Sequence, residues 1–261
     1  MKRGVIKLRV KKVIFKNCYG EEIAFGKKFP LYFEKINTFG FSGRFTSDSI
    51  IGSPGQYTSF LGDSGKTITA EFAYWNRLRD DMTLRKIERV FTPLKTGLLT
   101  VFDEDDMIYT IEAYPNSMPV FQRSGSVLKW SVNFQADYPY WEKGYEDIVT
   151  EVPQNTVTAV YNPGMIPVSP VLILPQCRPS RTISKTSGQA ASFSVDSSPD
   201  NVLTINTRDF TVVDENGSNK NNLLYDNAEL DEFFLEPGVN YLYCIQSSFT
   251  VKFKELAAGV M

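Results

Sequence analysis

The clearest alternation of apolar and polar residues lies at positions 129–136, where the sequence reads KWSVNFQA. Apolar side chains stand at every second position, so in an extended chain they share one face and leave a polar face opposite. The pattern predicts a half-buried β-strand. This strand should end by Pro139, because proline has no N–H to donate to a neighbouring strand. The polar and acidic residues after Trp141 predict a linker that leads into a second block of strands.

One helix is predicted in the first half of the chain, at residues 81–91 (DMTLRKIERVF). Leu84, Ile87 and Phe91 recur at a spacing that lines one face of a helix. An aspartate stands at the amino end, where the helix dipole favours negative charge. A strand is predicted just before this helix, at residues 66–75, because KTITAEFAYW alternates with a period of two.

The rest of the first half carries weaker signals that still predict strands joined by turns. A hairpin is expected on either side of four consecutive acidic residues. The segments are one or two strands at 5–15, a turn through Gly20, a short apolar run at 31–33, a bent strand or loop at 37–44, a loop at 47–57, and hairpin strands at 98–102 and 107–113.

The second half consists of short β-like segments separated by loops rich in Ser, Asn, Gly and Asp, with no convincing helix. Many short strands with regular turn signals are typical of a β-sandwich. The fold class is therefore mainly β, with a first domain at residues 1–145 and a second at 150–256. The predicted strands of the second domain lie at 167–174, 181–184, 191–195, 202–206, 210–214 and 247–253, with turns at Pro163-Gly164 and Pro237-Gly238.

The composition excludes several functional classes. With 28 basic and 30 acidic residues the net charge is −2, so the chain lacks the basic footprint of a nucleic-acid-binding protein. No apolar stretch reaches the length of a membrane span, and charges interrupt the apolar residues of the amino-terminal segment, which argues against a signal peptide. Three widely separated cysteines do not form a disulfide framework, and we expect reduced thiols in a protein that folds in a reducing cytoplasm.

The chain contains no histidine, which excludes catalytic triads and zinc sites that need one. The sequence GDSG at residues 62–65 therefore predicts a turn rather than a serine nucleophile. Two acidic clusters could offer carboxylates to calcium or to a sugar, but the first lacks the spacing and glycine of an EF-hand loop, and we interpret both as solvated loops. We assign no catalytic, cofactor-binding or metal-binding residue and expect no enzyme activity and no cofactor. The clusters are residues 103–106 and the set Asp226, Glu229, Asp231 and Glu232.

Basic residues are concentrated near the amino end, where Lys7, Arg9, Lys11 and Lys12 stand among apolar residues. The first interpretation is the solvated face of one or two strands. The second is a basic rim that meets an acidic partner.

Several segments, taken in their order along the chain, suggest a family. They are SPGQY at 53–57, the strand at 66–75, the helix at 81–91, DMIYTI at 106–111 and ADYPYW at 136–141 in the first half, then NPG at 162–164, PVLI at 170–173, LTINT at 203–207 and FLEPGVN at 234–240. In order and spacing these segments resemble the distal tail protein of siphophages that infect Gram-positive bacteria. The resemblance covers nearly the whole chain.

The resemblance implies a structural role in a phage or prophage tail rather than catalysis. Residues 1–145 would form a β-sandwich-like hub domain with one α-helix that assembles into a six-fold ring, and residues 150–256 a peripheral galectin-like β-sandwich. Because they alternate with apolar neighbours, we expect Lys7, Arg9, Lys11 and Lys12 to line or flank this ring. The protein would belong to the virion tail tip, after assembly in the host cytoplasm. The implied partners are further copies in one or two hexameric rings, the major tail (tube) protein, the tail-associated lysin or tail fibre protein, a receptor-binding protein and the tape measure protein, without nucleic acid or membrane.

The alternative is a monomeric carbohydrate-binding module or adhesin. Such a site uses aromatic platforms, yet Trp75, Trp130 and Trp141 all lie in the first half, while the lectin-like second half has no tryptophan. A glycosidase that uses carboxylates is the third and least supported interpretation.

Overall fold

The structure is a computed structural model, and it divides into two compact units. Unit 1 comprises Met1–Lys143 together with Ala258–Met261, and unit 2 comprises Gly144–Ala257. In the strands at 43–49 and 56–63 only the backbone is described. The described residues are 10–28, 30–39, 43–49, 56–63, 65–75, 81–93, 96–225, 228 and 230–260.

Unit 1 is built from antiparallel strands and one helix. Strands β2, β1, β7 and β8 follow one another in one sheet, and β3, β6 and β10 in a second, with β9 beside β10. The two sheets are joined where Pro115 at the end of β8 pairs with Phe134 of β10, while β4 and β5 form a two-stranded sheet of their own. The elements are β1 (Val10–Asn17), β2 (Glu22–Phe25), β3 (Leu31–Ile36), β4 (Gly43–Ser49), β5 (Gln56–Asp63), β6 (Lys66–Trp75), α1 (Asp81–Val90), β7 (Gly97–Asp103), β8 (Ile108–Pro115), β9 (Gln122–Ser124), β10 (Val127–Ala136) and the first residues of β11 (Trp141–Val152).

The strand predicted at residues 129–136 is confirmed as part of β10. Its apolar residues are buried and alternate with more exposed polar ones. Along its whole length β10 pairs with β6, so that Trp130 lies opposite Phe72 and Phe134 opposite Ile68. Two strands of alternating pattern thus present one continuous apolar face. This face forms one side of the unit 1 core.

Phe91, the residue just after α1, joins the two sheets of unit 1. Its ring centroid lies 5.6 Å from that of Phe15 on β1, 5.6 Å from Phe72 on β6 and 5.9 Å from Phe134 on β10. Phe25 on β2 completes the cluster at 6.1 Å. All five rings are buried. The predicted helix is confirmed: α1 ends at Val90, and Phe91 continues its buried face between the sheets.

The predicted hairpin of β7 and β8 is also confirmed, and its acidic turn has a structural role. Asp103 is buried, and its carboxylate accepts hydrogen bonds from the backbone N–H groups of Asp105 (2.9 Å) and Met107 (2.8 Å). Asp106 adopts a positive φ of 60°. Short acidic side chains tolerate this conformation and bond to nearby backbone groups, which suits them to turns.

The last residues of the chain return to unit 1. Val260 is buried, and its N–H donates to the hydroxyl of Thr38 at 3.2 Å. The Trp141 indole N–H donates to the Thr38 carbonyl at 3.1 Å. The buried Lys66 ammonium donates to the carbonyls of Pro139 (3.3 Å) and Ala258. The sequence analysis assigned residues 257–261 to neither domain.

Unit 2 is a sandwich of two antiparallel sheets. Strands β17, β16, β13, β19 and β11 form one sheet, and β12, β18, β14 and β15 form the other. Leu172 and Ile205 from the first and Ile183 and Phe193 from the second are among its buried residues. The remaining elements are β12 (Thr158–Asn162), β13 (Val171–Leu174), β14 (Arg181–Lys185), β15 (Ala191–Val195), β16 (Leu203–Asn206), β17 (Thr211–Asp214), 3₁₀ turns at Asn221–Leu223 and Leu230–Glu232, β18 (Gly238–Tyr243) and β19 (Phe249–Ala257).

Three local expectations are wrong. The predicted linker after Trp141 is strand β11, whose side chains are mostly exposed or half-buried and give no apolar alternation. The predicted loop at 47–57 begins within β4 and ends within β5, while residues 50–55 lie outside the described part of the chain. Phe210 precedes β17 rather than belonging to it, and its φ of 55° is incompatible with a strand.

Truncation of Phe91 should destabilise unit 1 severely, because its ring contacts both sheets. For Phe91→Ala we expect a loss of about 3–5 kcal/mol in the free energy of unfolding, as for large-to-small changes in other cores. Chemical denaturation of the two proteins measures it. Met82→Ala on the exposed face of the same helix is the control and should change stability little. A loss below about 1 kcal/mol for Phe91→Ala would contradict the central role of this ring.

Lys66 predicts a stability that depends on pH. Burial lowers its pKa from 10.5 to about 8. The unfolded chain therefore binds more protons than the folded chain between these values, and the Lys66 contribution to the free energy of unfolding rises as the pH increases through this window. Relative to Lys66→Met, the wild-type protein should gain about 2 kcal/mol between pH 7.5 and pH 10.

Denaturation curves at the two pH values measure this difference, and Lys28→Met, at an exposed lysine of unit 1, is the matched control. An equal pH dependence of wild type and Lys66→Met would show that Lys66 keeps its ordinary pKa in the folded protein.

Candidate interaction surfaces

The described residues offer no cluster of three or more His, Cys, Asp or Glu side chains that could hold a metal ion. The acidic turn 103–106 is instead engaged in ion pairs: Lys11 contacts Asp106 at 2.6 Å and Lys27 contacts Glu104 at 2.9 Å. In the GDSG segment, Gly62 and Asp63 end β5, and Ser64 lies outside the described residues. None of the helices described has the length and apolarity to cross a membrane.

The four basic residues singled out in the sequence are partly visible. Lys7 and Arg9 lie outside the described residues. Lys11 and Lys12 are both exposed, because a bulge interrupts the pairing of β1 with β7 between Val10 and Lys12. The Lys12 ammonium lies 5.3 Å from the centre of the Phe102 ring. The bulge leaves two adjacent lysine side chains exposed, of which Lys11 is paired with Asp106.

The thiols follow the sequence expectation in part. Cys177 and Cys244 are buried and Cys18 is exposed, and all three are free. Both buried thiols lie within hydrogen-bonding reach of Gln246, at 3.9 Å from its carbonyl oxygen and 3.6 Å from its side-chain oxygen. They act as small core residues of unit 2.

Two further buried cations hold loops of unit 2 in place. Arg181 donates to the carbonyl of Pro175 at 2.6 Å and to the hydroxyl of Ser198, and Lys185 donates to the carbonyl of Phe234 at 2.9 Å. Burial lowers the pKa of both side chains, and for Lys185 the charge of Glu236 opposes this shift. Their partners are mainly backbone carbonyls, so these cations tie loops to β14. The sequence analysis did not identify them.

A cavity of about 510 Å³ opens in unit 1 beside the segment between β8 and β9. Met118 and Val120 of this segment are exposed, and Lys129 forms an ion pair with Glu34 at the cavity. The indole nitrogen of Trp130 is buried and has no hydrogen-bond partner among the described residues. Mixed apolar and charged walls of this kind suit a contact with protein. Sequence reasoning missed the cavity because its loop carries no periodic pattern.

The outer face of β12 and β18 is an exposed apolar patch of unit 2. Tyr161 lies opposite Val239, and Ala159 lies opposite Tyr241. Tyr161 is 61% exposed, Val239 51% and Tyr241 45%. Exposed apolar side chains that adjoin one another are typical of interaction surfaces. The sequence predicts no strand at β12 and therefore does not reveal this patch.

Comparison with known proteins gives a match in structure alone. No protein-family model matches the chain, and no curated protein matches it in sequence. Among solved structures, the crystal structure of the SPP1 Dit (gp 19.1) protein matches with a TM-score of 0.68 over 94% of this chain and 99% of that one, at 15% sequence identity. Two structures of the phage P2 baseplate in its activated conformation, with Ca and with Sr, give TM-scores of 0.49 and 0.48 at 10% identity.

The SPP1 protein is described as a paradigm of the hub adsorption apparatus in phages that infect Gram-positive bacteria. The match includes residues of both units, so the two proteins share both β-rich units in the same order along the chain. The predicted resemblance is thereby confirmed at the level of fold: this mainly β chain has the fold of the SPP1 Dit protein.

Proposed function

We propose that this chain is a structural subunit of the tail tip of a phage or prophage of Gram-positive bacteria and acts by assembly rather than by catalysis. One observation carries the proposal: nearly the full length of the chain superposes on nearly the full length of the SPP1 Dit hub protein. The described residues support this proposal in two ways. The polar clusters hold turns and loops in place, and exposed apolar side chains, which can contact other proteins, occur in both units.

Within this proposal, unit 1 forms a hexameric ring, stacked singly or in pairs. A ring needs two different surfaces on each subunit, because each copy contacts its neighbours head to tail. The hairpin of β4 and β5 offers one of them. It pairs with no other strand in the described part of the chain, and an isolated two-stranded hairpin is only marginally stable in water. Packing against the next subunit would stabilise it.

The other proposed contacts follow from a hub position. The ring joins the major tail (tube) protein on one side to the tail-associated lysin or tail fibre protein on the other, near the tape measure protein. Residues 150–256, as a galectin-like sandwich, lie at the periphery and hold a receptor-binding protein. Assembly takes place in the host cytoplasm, and the product is part of the virion.

The basic residues Lys7, Arg9, Lys11 and Lys12 line or flank the ring in this proposal. Lys11 and Lys12 support it, because the bulge in β1 exposes both charges side by side. Such charges steer association with an acidic surface and are screened by salt.

The native mass of the purified protein tests the ring. We expect light scattering after size exclusion to give six or twelve times the 29.5 kDa of the chain. A mass of one or two chains, together with a positive result in a glycan-array screen, would overturn the proposal in favour of a carbohydrate-binding module.

Charge reversal tests the basic residues. Lys11→Glu with Lys12→Glu should weaken the ring, so that the mass falls below six chains at low protein concentration. Stability should change by less than about 1 kcal/mol, because only an exposed ion pair is lost. Arg178→Glu with Arg208→Glu, at two exposed positions of unit 2, is the matched control. Identical masses for both double variants and wild type would exclude Lys11 and Lys12 from the interface.

A further inference from the structure

Unit 2 protects some of its sheet edges and leaves one bare. Edge strand β15 is covered by the segment that follows β17, since Val195 pairs with Leu224 and the N–H of Tyr225 donates to the Ser194 carbonyl at 3.2 Å. Edge strand β17 is covered in the same way, since Val213 pairs with Asn219. Among the described residues of unit 2, no segment covers the outer edge of β12.

The hydrogen bonds of β18 show which backbone groups point to this edge. Both backbone groups of Tyr241 are engaged on the β14 side, because its carbonyl accepts from Thr186 at 3.0 Å and its N–H donates to Ser187 at 2.8 Å. Alternate residues of a strand bond to opposite sides, so β18 bonds to β12 through Asn240 and Leu242. It follows that the N–H and C=O groups of Ala159 and Tyr161 point away from the sheet.

The side chains of this edge favour pairing with another strand. Strand β12 reads TAVYN, without a charge, a proline or a bulge, the devices that natural edges use against pairing. Beside Ala159 and Tyr161, the outer face continues on β18 with Val239 and Tyr241. Farther along the sheet, β14 and β15 present only serine and threonine hydroxyls on this face. An exposed edge of this kind is a template for another strand.

The composition of β12 indicates that the partner strand comes from a second copy of the chain. Pairing of a strand with itself about a two-fold axis places identical segments together, which charges would oppose by mutual repulsion. Strand β12 has none. In the antiparallel register centred on Val160, Tyr161 lies opposite the partner's Ala159, a large side chain against a small one. These are also the residues with outward backbone groups, so each of the two pairs exchanges two hydrogen bonds.

We propose that two copies of this protein associate through β12, which joins their four-stranded sheets into one continuous sheet across a two-fold axis. The contact stands independently of the ring. A two-fold contact of this kind is isologous and differs from the head-to-tail contacts of a cyclic ring. If the ring forms, β12 joins chains of two different rings and gives twelve copies. Without the ring, it gives a dimer.

Ala159→Pro tests the edge without breaking the sheet, because the N–H that it removes points away from β18. Light scattering should show half the wild-type mass, six chains instead of twelve or one instead of two, with an unchanged circular dichroism spectrum. Tyr161→Lys should halve the mass as well, by placing like charges near the axis. Ser192→Lys, on the exposed face of the covered strand β15, is the matched control and should keep the wild-type mass.

Equal masses for wild type, Tyr161→Lys and Ser192→Lys would overturn the proposal, whether that common mass is one, six or twelve chains. A common mass of six or twelve would leave the ring intact and reject the β12 contact alone. Proline also fixes φ, so if Ala159→Pro misfolds the test rests on Tyr161→Lys, and a wild-type mass for that variant overturns the proposal.

Cysteine cross-linking tests the register. In a Cys18→Ser background, proteins carrying Ala159→Cys and Tyr161→Cys should form a disulfide-linked dimer under oxidation when mixed. Their Cα atoms would lie about 5.5 Å apart, within the range that a disulfide spans. Each protein alone should cross-link far less, because like residues lie on the diagonal. Equal cross-linking in the mixture and in the separate proteins would refute this register.

Discussion

The contact of Phe91 with both sheets of unit 1 is the constraint on which that unit depends. The rings of Phe15, Phe25, Phe72 and Phe134 come from four strands, and each centroid lies within 6.1 Å of the Phe91 centroid. Helix α1 has few buried residues of its own, so this aromatic residue at its end fixes the helix to the core. The sheets then determine where the β7–β8 turn, the bulge of β1 and the bound chain end are presented.

The sequence predicted the elements in which one face is apolar and buried and the other is polar and exposed. Strands β6 and β10 and helix α1 each have one apolar face, and their periodicity follows. Strand β11 was not predicted because nearly all of its side chains are exposed or half-buried, and backbone pairing holds it without an apolar face. The periodicity of a sequence reflects which side chains are buried. A strand that is held mainly by backbone hydrogen bonds therefore shows no periodic pattern.

The burial of Lys66 and Lys185 could have been predicted from their spacing relative to apolar residues in the sequence. Lys66 stands two residues before Ile68 on β6, and Lys185 two residues after Ile183 on β14, so both share the buried face of their strand. A charged residue in phase with buried neighbours predicts a bound partner, here carbonyls of loops and of the chain end. The interaction surfaces lacked any such signal. The cavity beside Trp130 and the edge of β12 arise from strands and loops brought together only by folding.

Our proposal is that this chain is a hub subunit that forms a ring. Electron microscopy of the purified protein in negative stain tests it most directly, because class averages report symmetry without a partner or a ligand. Assembly into the proposed ring should give end-on views with six-fold symmetry. Homogeneous particles of one or two chains without rotational symmetry of that order, at concentrations where the protein is folded, would contradict it.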